Sequence, residues 1–145
     1  MINSFAVTLY NCRLSSNPPY KPAYRRTVIK GCHWENSTYR DTGSNGQVFF
    51  NKATTIIIPK DADSEGRKYA DPREYANLPA DDESRWTLNI DQSNPDIIVL
   101  SECDKEIGEG YTVTQLKKDF TAVDVKAVSD ATQSAVQPHI EVTGV

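Results

Sequence analysis

The chain has few of the residues that build disulfide frameworks, metal clusters or membrane spans. It contains three cysteines, two histidines and one methionine among 145 residues. The cysteine number is odd and no two stand in a C-x-x-C spacing, which argues against a disulfide scaffold. Apolar runs such as Ile56–Ile58 are far shorter than the roughly 20 residues that span a bilayer. Because Met1–Phe5 lacks the basic and apolar regions of a signal peptide, we expect folding in a cytoplasm and no membrane partner.

Signatures of catalysis are also missing from the sequence. There is no G-x-S-x-G, no phosphate-binding loop and no dinucleotide fingerprint. Cys32, Cys103 and two histidines supply nucleophile and base types, but no local pattern joins them. Cys32 and His33 are adjacent, so on a regular strand their side chains point to opposite faces. We therefore expect no enzyme, no catalytic residues and no cofactor.

One segment has the spacing of a calcium loop but does not complete it. Asp61, Asp63 and Glu65 alternate before Gly66, as oxygen ligands do at the start of such a loop. The twelfth position, which should be a glutamate, is Pro72. A solvated acidic loop is the preferred interpretation, and we expect no metal site.

Charge is distributed unevenly along a chain whose length suits one domain over residues 1–145. The net charge is −4, with +6 in residues 1–60, −9 in residues 61–109 and −1 in residues 110–145. Segments of opposite sign can face each other within the fold. They can instead form separate surfaces on which successive subunits dock.

Alternating β-forming residues predict a mainly β fold. Short strands are expected at residues 4–10, 24–34, 47–50, 54–58, 86–90, 96–100, 122–128 and 139–145. Gly31 predicts that the second strand is broken or bulged there, and Ser44-Asn45-Gly46 predicts a tight turn within a loop over 37–46. The short connection before the last strand favours a hairpin. About seven to eight strands with one short helix indicate a small β-barrel or sandwich.

Residues 60–85 form a long acidic insertion between the predicted strands. They carry Pro72 and Pro79 without sustained periodicity, so we expect a loop. Asp71 before Pro72 predicts a single helical turn with Asp71 as its cap. The best helix candidate lies over 114–120, with Thr114 as N-cap.

Basic residues gather on the second predicted strand. In an extended chain Arg26 and Lys30 share a face with Tyr24, and Arg25 lies opposite. Such a cluster can contact phosphates, but the whole chain is acidic, and a basic strand face that meets an acidic partner is the preferred interpretation. The two histidines are assigned to an edge or interface. The predicted subunit-interface residues are Arg25, Arg26, Lys30, His33, Trp34 and His139.

Seven segments carry a resemblance, and the most specific of them contains Gly31-Cys-His-Trp-Glu35. The segments are Val7–Asn11, Tyr24–Glu35, Thr55–Lys60, Trp86–Leu88, Asp96–Leu100, Tyr111–Lys117 and Pro138–Val142. In this order they resemble a family of small virion proteins of tailed bacteriophages and prophages of Gram-positive hosts. That family is similar in order and length to head-to-tail connector proteins called stoppers or head-completion proteins. Residues 61–85 and 129–137 are the variable parts.

The resemblance implies a β-barrel that forms a homo-oligomeric ring, sixfold or twelvefold, in the neck of the virion. Portal and adaptor proteins would lie above it and tail-completion or tail-tube proteins below. The ring would join the portal or adaptor to the tail and help to retain packaged DNA, and DNA would pass through its channel without sequence-specific binding. The acidic insertion would project into the channel and repel the phosphate backbone. The predicted channel residues are Asp61, Asp63, Glu65, Asp71, Glu74, Asp81, Asp82 and Glu83.

Two other functions stay open. One is a tail-completion or terminator subunit of the same virion. The other is a non-viral β-barrel module that binds a peptide or a glycan. Portal, capsid and tail-tube genes beside this one would favour a virion protein, and a monomer that binds sugar would favour the binding module.

Overall fold

Six antiparallel strands close into a barrel. The computed structural model describes residues 5–15, 18–90 and 93–145. The elements are β1 Phe5–Leu14, β2 Pro22–Thr42, β3 Val48–Pro59, β4 Lys68–Tyr69, α1 Pro72–Ala76, β5 Arg85–Trp86, β6 Ile97–Val99, α2 Val113–Asp119, β7 Ala122–Ala131 and β8 His139–Gly144. The barrel strands follow one another in the order β1-β2-β3-β8-β7-β6, and a two-stranded parallel sheet, β4–β5, lies beside the barrel. The mainly β barrel fold predicted from the alternation is confirmed.

Alternate residues of the six strands fill the barrel with apolar side chains. This follows from the period of two, which places every second side chain on the same face of a strand. Trp86 and Leu88 enter the same core from the segment after β5. The buried members of this cluster are Val7, Leu9, Ile29, Cys32, Ile56, Ile58, Trp86, Leu88, Ile98, Leu100, Val123, Val125, Ile140 and Val142.

Gly31 lies where the register between β1 and β2 shifts by one residue. Phe5 pairs with Cys32 and Ala6 pairs with Lys30, so Gly31 is the extra residue of a bulge. Its φ is 90°, a left-handed conformation that glycine adopts without steric cost. Cys32 thereby returns to the barrel interior. The predicted bulge is confirmed.

A second apolar cluster covers the outer side of the barrel at β1 and β6. Tyr10, Ile97 and Val99 point outward there and pack against Cys103 and Leu116. Leu116 belongs to α2 and is the buried residue of that helix. The helix therefore exists to close an apolar surface that the short strand β6 would otherwise expose.

The helix α2 begins earlier than the sequence predicts. Its N-cap is Thr112, whose hydroxyl accepts from the Gln115 N–H, while the Gln115 side chain accepts from the Thr112 N–H. This reciprocal capping box satisfies two backbone donors at once. The prediction of Thr114 as N-cap is therefore wrong, because Thr114 has no glutamine or glutamate three residues later to complete the box. The helical turn predicted at Pro72 is confirmed as α1, with Asp71 as its cap.

The predicted strand over 86–90 is wrong beyond its first residue. The side chains alternate as a strand would require, but the backbone bonds to side chains instead of a neighbouring strand. The Asn11 Oδ1 accepts a hydrogen bond from the Thr87 N–H at 3.2 Å, and the Asn11 Nδ2 donates to the Thr87 carbonyl at 2.5 Å. Asp96 accepts from the Asn89 N–H at 2.9 Å. These bonds hold the segment across the end of the barrel.

The strands β2 and β3 are longer and more continuous than predicted. The expected loop over 37–46 is mostly strand, since β2 runs to Thr42, and the two expected strands 47–50 and 54–58 are one strand, β3. The turn between them lies where Ser44-Asn45-Gly46 predicts it, and Gly46 has a φ of 81°. The hairpin predicted at the end of the chain is confirmed by the antiparallel pairing of β7 with β8.

Candidate interaction surfaces

The far part of the β2–β3 hairpin extends past its barrel neighbours. We call residues 37–53 the ribbon. β3 pairs with β8 only from Thr54 onward, and within the described chain β1 pairs with β2 no further than Cys32. Between these limits β2 and β3 pair only with each other, from Ser37 with Ala53 to Thr42 with Val48. The outward N–H and C=O groups of both strands are therefore edge groups that another strand can pair with.

The acidic segment, residues 60–85, is fastened to the outside of its own barrel. Arg25 of β2 donates to the carbonyl oxygens of Asp82 and, at 2.8 Å, of Ala80. Arg13 of β1 donates to the Leu78 carbonyl at 2.5 Å and to the Ala76 carbonyl at 3.3 Å. The two arginines bind the segment through its backbone carbonyl groups and not through its acidic side chains.

The beginning of the acidic segment is bound to β2 in a second way. Lys30 and Asp63 exchange backbone hydrogen bonds of 2.7 and 3.1 Å, as neighbouring strands do. Arg67 donates to the Arg26 carbonyl at 2.7 Å and to the Thr27 hydroxyl at 2.6 Å. The interface role predicted for Lys30 thus concerns its exposed side chain alone, because its backbone already pairs with Asp63 of the same chain.

The acidic side chains predicted to line a channel fall into two groups. Five have a neighbour within the chain. Asp71 caps α1, and Glu74 forms an ion pair with Arg85 at 3.2 Å. Glu65 accepts from the Val28 N–H at 3.2 Å, Asp82 accepts from Ser84, and Asp63 lies beside Lys30. The Ser84 hydrogen bonds hold the pKa of Asp82 below its usual value. Asp61, Asp81 and Glu83 have exposed side chains. The outward face of the segment is therefore negatively charged.

The Arg26 side chain also has its partners within the chain. Its Nε lies 2.9 Å from Glu106 Oε1, and its Nη1 donates to the Cys103 carbonyl at 3.1 Å. The hydrogen bond to Glu106 raises the pKa of Arg26. Two of the predicted interface arginines thus join the basic first part of the chain to its acidic middle part.

His33 and His139 meet in one surface groove although they are far apart in the sequence. The pairing of β2 with β3 and of β3 with β8 places both histidines beside Ile57 and Pro59. The resulting histidine groove has a volume of about 890 Å³ and is lined by His33, Ile57, Pro59, Lys60, Asp61, Gln137, Pro138 and His139. His139 Nδ1 lies 2.8 Å from the Gln137 carbonyl, and His33 Nδ1 has no partner within the described residues. Sequence reasoning assigned both histidines to an edge or interface, which stays a prediction, and missed that they line the same groove.

Trp34 lies on the inner side of the strand that carries His33. It packs against the barrel core, and its ring centroid is 5.3 Å from that of Phe5. Trp34 is thus a core residue with a partly exposed edge. Of the residues predicted for the interface, it has the clearest structural role.

The cysteines are buried, and burial raises the pKa of the Cys32 thiol to about 12. Cys32 is thus a protonated core side chain at neutral pH. In the part of the chain that the structure describes, no three His, Cys, Asp or Glu side chains come together as metal ligands. None of its helices has the length and apolar character that crossing a membrane requires.

Comparison with known proteins places the chain in a family without giving it a named relative. No curated protein and no solved structure matches it. The sequence profile of one family matches residues 2–145, which is nearly the whole chain. The chain therefore belongs to DUF6751, a family of unknown function.

Proposed function

We propose that the chain is a structural subunit that assembles head-to-tail into a ring in the neck of a tailed bacteriophage. The observation that carries the proposal is the ribbon, which leaves two unpaired strand edges outside a closed barrel. A two-stranded hairpin is marginally stable in water and gains stability from a third strand. A second copy of the chain supplies one.

The geometry of the ribbon suits repeated addition of identical copies. β2 and β3 run antiparallel, so placing the β3 edge of one ribbon beside the β2 edge of the next continues an antiparallel sheet. The two edges are different surfaces, which makes the contact heterologous, and heterologous contacts close into rings when the rotation allows. Each edge of the ribbon runs over six paired residues, Ser37–Thr42 on β2 and Val48–Ala53 on β3.

The acidic segment supports a position near packaged DNA. Its outward face carries Asp61, Asp81 and Glu83, which repel phosphates and oppose adhesion of DNA to the protein. Because Arg13 and Arg25 fasten the segment to the barrel, it acts as a fixed charged surface. The resemblance to connector proteins supplies the expected neighbours, a portal or adaptor on one side and a tail protein on the other, and the virion as location.

Removing the ribbon tests the proposal while sparing the barrel. Asn36 and Thr54 are direct partners, with the Thr54 hydroxyl 2.7 Å from Asn36 Oδ1. Replacing residues 37–53 by Asn-Gly therefore joins them through a two-residue hairpin turn. We expect a folded barrel, seen as unchanged dispersion in its NMR spectrum, that supports no ring and yields heads without tails. The readouts are electron microscopy of particles and the presence of the chain in purified virions.

A substitution outside the ribbon serves as the control for this deletion. Val136 is 76% exposed in the β7–β8 connection, and Val136→Ser should assemble normally. If the ribbonless barrel still formed necks, the ribbon would not be the assembly element. If particles assembled fully without the chain, the virion function would be wrong. A ring found at the end of the tail tube would instead indicate the terminator function.

A further inference from the structure

A second cavity, at one end of the barrel, has the composition of a small-molecule site. It has a volume of about 560 Å³, within the usual range of ligand pockets. We call it the mouth cavity, and it does not depend on the proposed ring. Its lining is Ile58, Pro59, Lys60, Ala62, Asp63, Ser64, Gly66, Arg67, Lys68, Tyr69, Trp86, Thr132 and Ile140. We propose that the mouth cavity binds a small carboxylic acid with an apolar or aromatic body.

The walls of the mouth cavity are suited to a flat apolar group. Ile58 and Ile140 come from paired residues of β3 and β8, and Ala62 packs against the same core. Tyr69 and Trp86 form an aromatic wall, with ring centroids 5.1 Å apart at an interplanar angle of 61°. Such surfaces bind aromatic and aliphatic groups because these lose contact with water there.

The rim of the mouth cavity is positive within an otherwise acidic stretch. Lys60, Arg67 and Lys68 line it against a single carboxylate, Asp63. In the described residues neither Lys60 nor Lys68 forms an ion pair, whereas Arg67 lies 3.8 Å from Glu65 and also donates to backbone groups. Two lysines without anionic partners beside an apolar wall favour a ligand with one negative charge.

Two side chains with neutral hydrogen-bond donors, Tyr69 and Trp86, belong to the lining of the cavity. Burial raises the pKa of Tyr69 to about 12, so its hydroxyl remains a donor at neutral pH. Trp86 is 4% exposed, and its Nε1–H has no acceptor within the described chain. A buried donor without an acceptor is destabilising, so a ligand that supplied an acceptor to this N–H would stabilise the folded protein.

Benzoate is a suitable probe, since it combines a flat ring with one carboxylate. The full chain, labelled with ¹⁵N, contains two indole N–H groups, those of Trp34 and Trp86. We expect benzoate to shift the Trp86 indole signal saturably with a Kd near a millimolar, roughly the affinity of a small fragment. Trp34 does not line the cavity, so its signal is an internal control and should stay in place. Benzyl alcohol, a neutral analogue, should bind about tenfold more weakly, because it lacks the charge that the lysines attract.

A surface lysine pair completes the test without disturbing the core. Lys68→Ala removes an exposed rim charge and should weaken benzoate binding about fivefold or more. Lys52→Ala removes an exposed lysine of the ribbon and should leave binding unchanged. The proposal is overturned if about 10 mM benzoate, ten times the expected Kd, leaves the Trp86 signal in place. Equal binding of benzyl alcohol, or unaltered binding by Lys68→Ala, would overturn it as well.

Discussion

Asp96 is the clearest case of a single side chain that organises its surroundings. It is fully buried, and it accepts hydrogen bonds from the Cys12 N–H at 2.8 Å and from the Asn89 N–H and the Asn11 amide at 2.9 Å each. Through these bonds one carboxylate joins β1 to the segment that closes the barrel end. Sequence reasoning read Asp96 as the first residue of a strand and gave it no role.

Replacing Asp96 should therefore be severely destabilising. Asp96→Ala removes the acceptor of three hydrogen bonds, and we expect a loss of about 3 kcal/mol or more in the free energy of unfolding. Asp96→Asn retains one oxygen and should cost less. Urea unfolding measures the difference, and Asp104→Ala, at an exposed position, is the control. A loss below about 1 kcal/mol for Asp96→Ala would show that the donors find other partners.

Tyr69 gives the folded protein a dependence on alkaline pH. Burial, with smaller effects from Asp130 and Asp71, raises its pKa to about 12, above the value of about 10 in an unfolded chain. Between these values the folded state holds the proton more tightly, so its stability is full below pH 10 and falls as pH rises toward 12. Tyr69→Phe should make this fall shallower. Urea unfolding at pH 8 and at pH 11 measures it, and an unchanged slope in the variant would contradict the assignment.

At the scale of elements, the helix α2 was predicted correctly from its periodicity, but its first residue was not. The periodicity of 114–120 predicted a helix correctly, because Leu116 must face the outer apolar cluster. The start was missed because a cap depends on two side chains acting together, Thr112 and Gln115. The capping signature was present in the sequence, so this part of the structure was predictable.

The two neighbouring threonines allow a matched test of the cap. Thr112→Ala removes the capping hydroxyl and should lower stability by about 1 kcal/mol. Thr114→Ala lies inside the helix with an exposed side chain and should be neutral or slightly stabilising, since alanine is the better helix former. Thermal and urea unfolding compare the two variants. Equal losses would mean that the helix does not depend on its capping box.

The strands show where local pattern stops being sufficient. Alternation located β1, β2, β7 and β8, because one face of each is buried in the barrel. It failed at 86–90, where an alternating segment bonds to Asn11 and Asp96 instead of a strand. Those partners are distant in sequence, and no local signal indicates them. The sequence also predicted two separate strands, 47–50 and 54–58, where the structure has the single strand β3. The reason is related, because both segments pair with the same continuous strand, β2.

At the scale of the whole molecule, the basic first part of the chain binds the acidic middle part of the same chain. Arg13, Arg25 and Arg26, from the basic first part, bind carbonyls and one carboxylate of the acidic middle part. This is the intramolecular arrangement that the sequence left open beside a docking role. Composition could not decide between them, because only the barrel closure shows which strands the acidic segment crosses. The surfaces that these contacts leave open include the outer acidic face, the histidine groove and the ribbon.

The ribbon also has an arithmetical consequence for any ring built through it. Each copy adds two strands to the common sheet, so the number of strands in the lumen is always even and twice the number of copies. Neighbouring strands lie about 4.8 Å apart, so each copy contributes about 10 Å of circumference before tilt. Before tilt, a sixfold lumen is therefore about 18 Å wide between backbones and a twelvefold lumen about 37 Å, and a strand tilt of about 40° widens each by roughly a third. Measuring the width of the channel in a neck would count the copies, and a width unrelated to this increment would show that the ribbons do not line it.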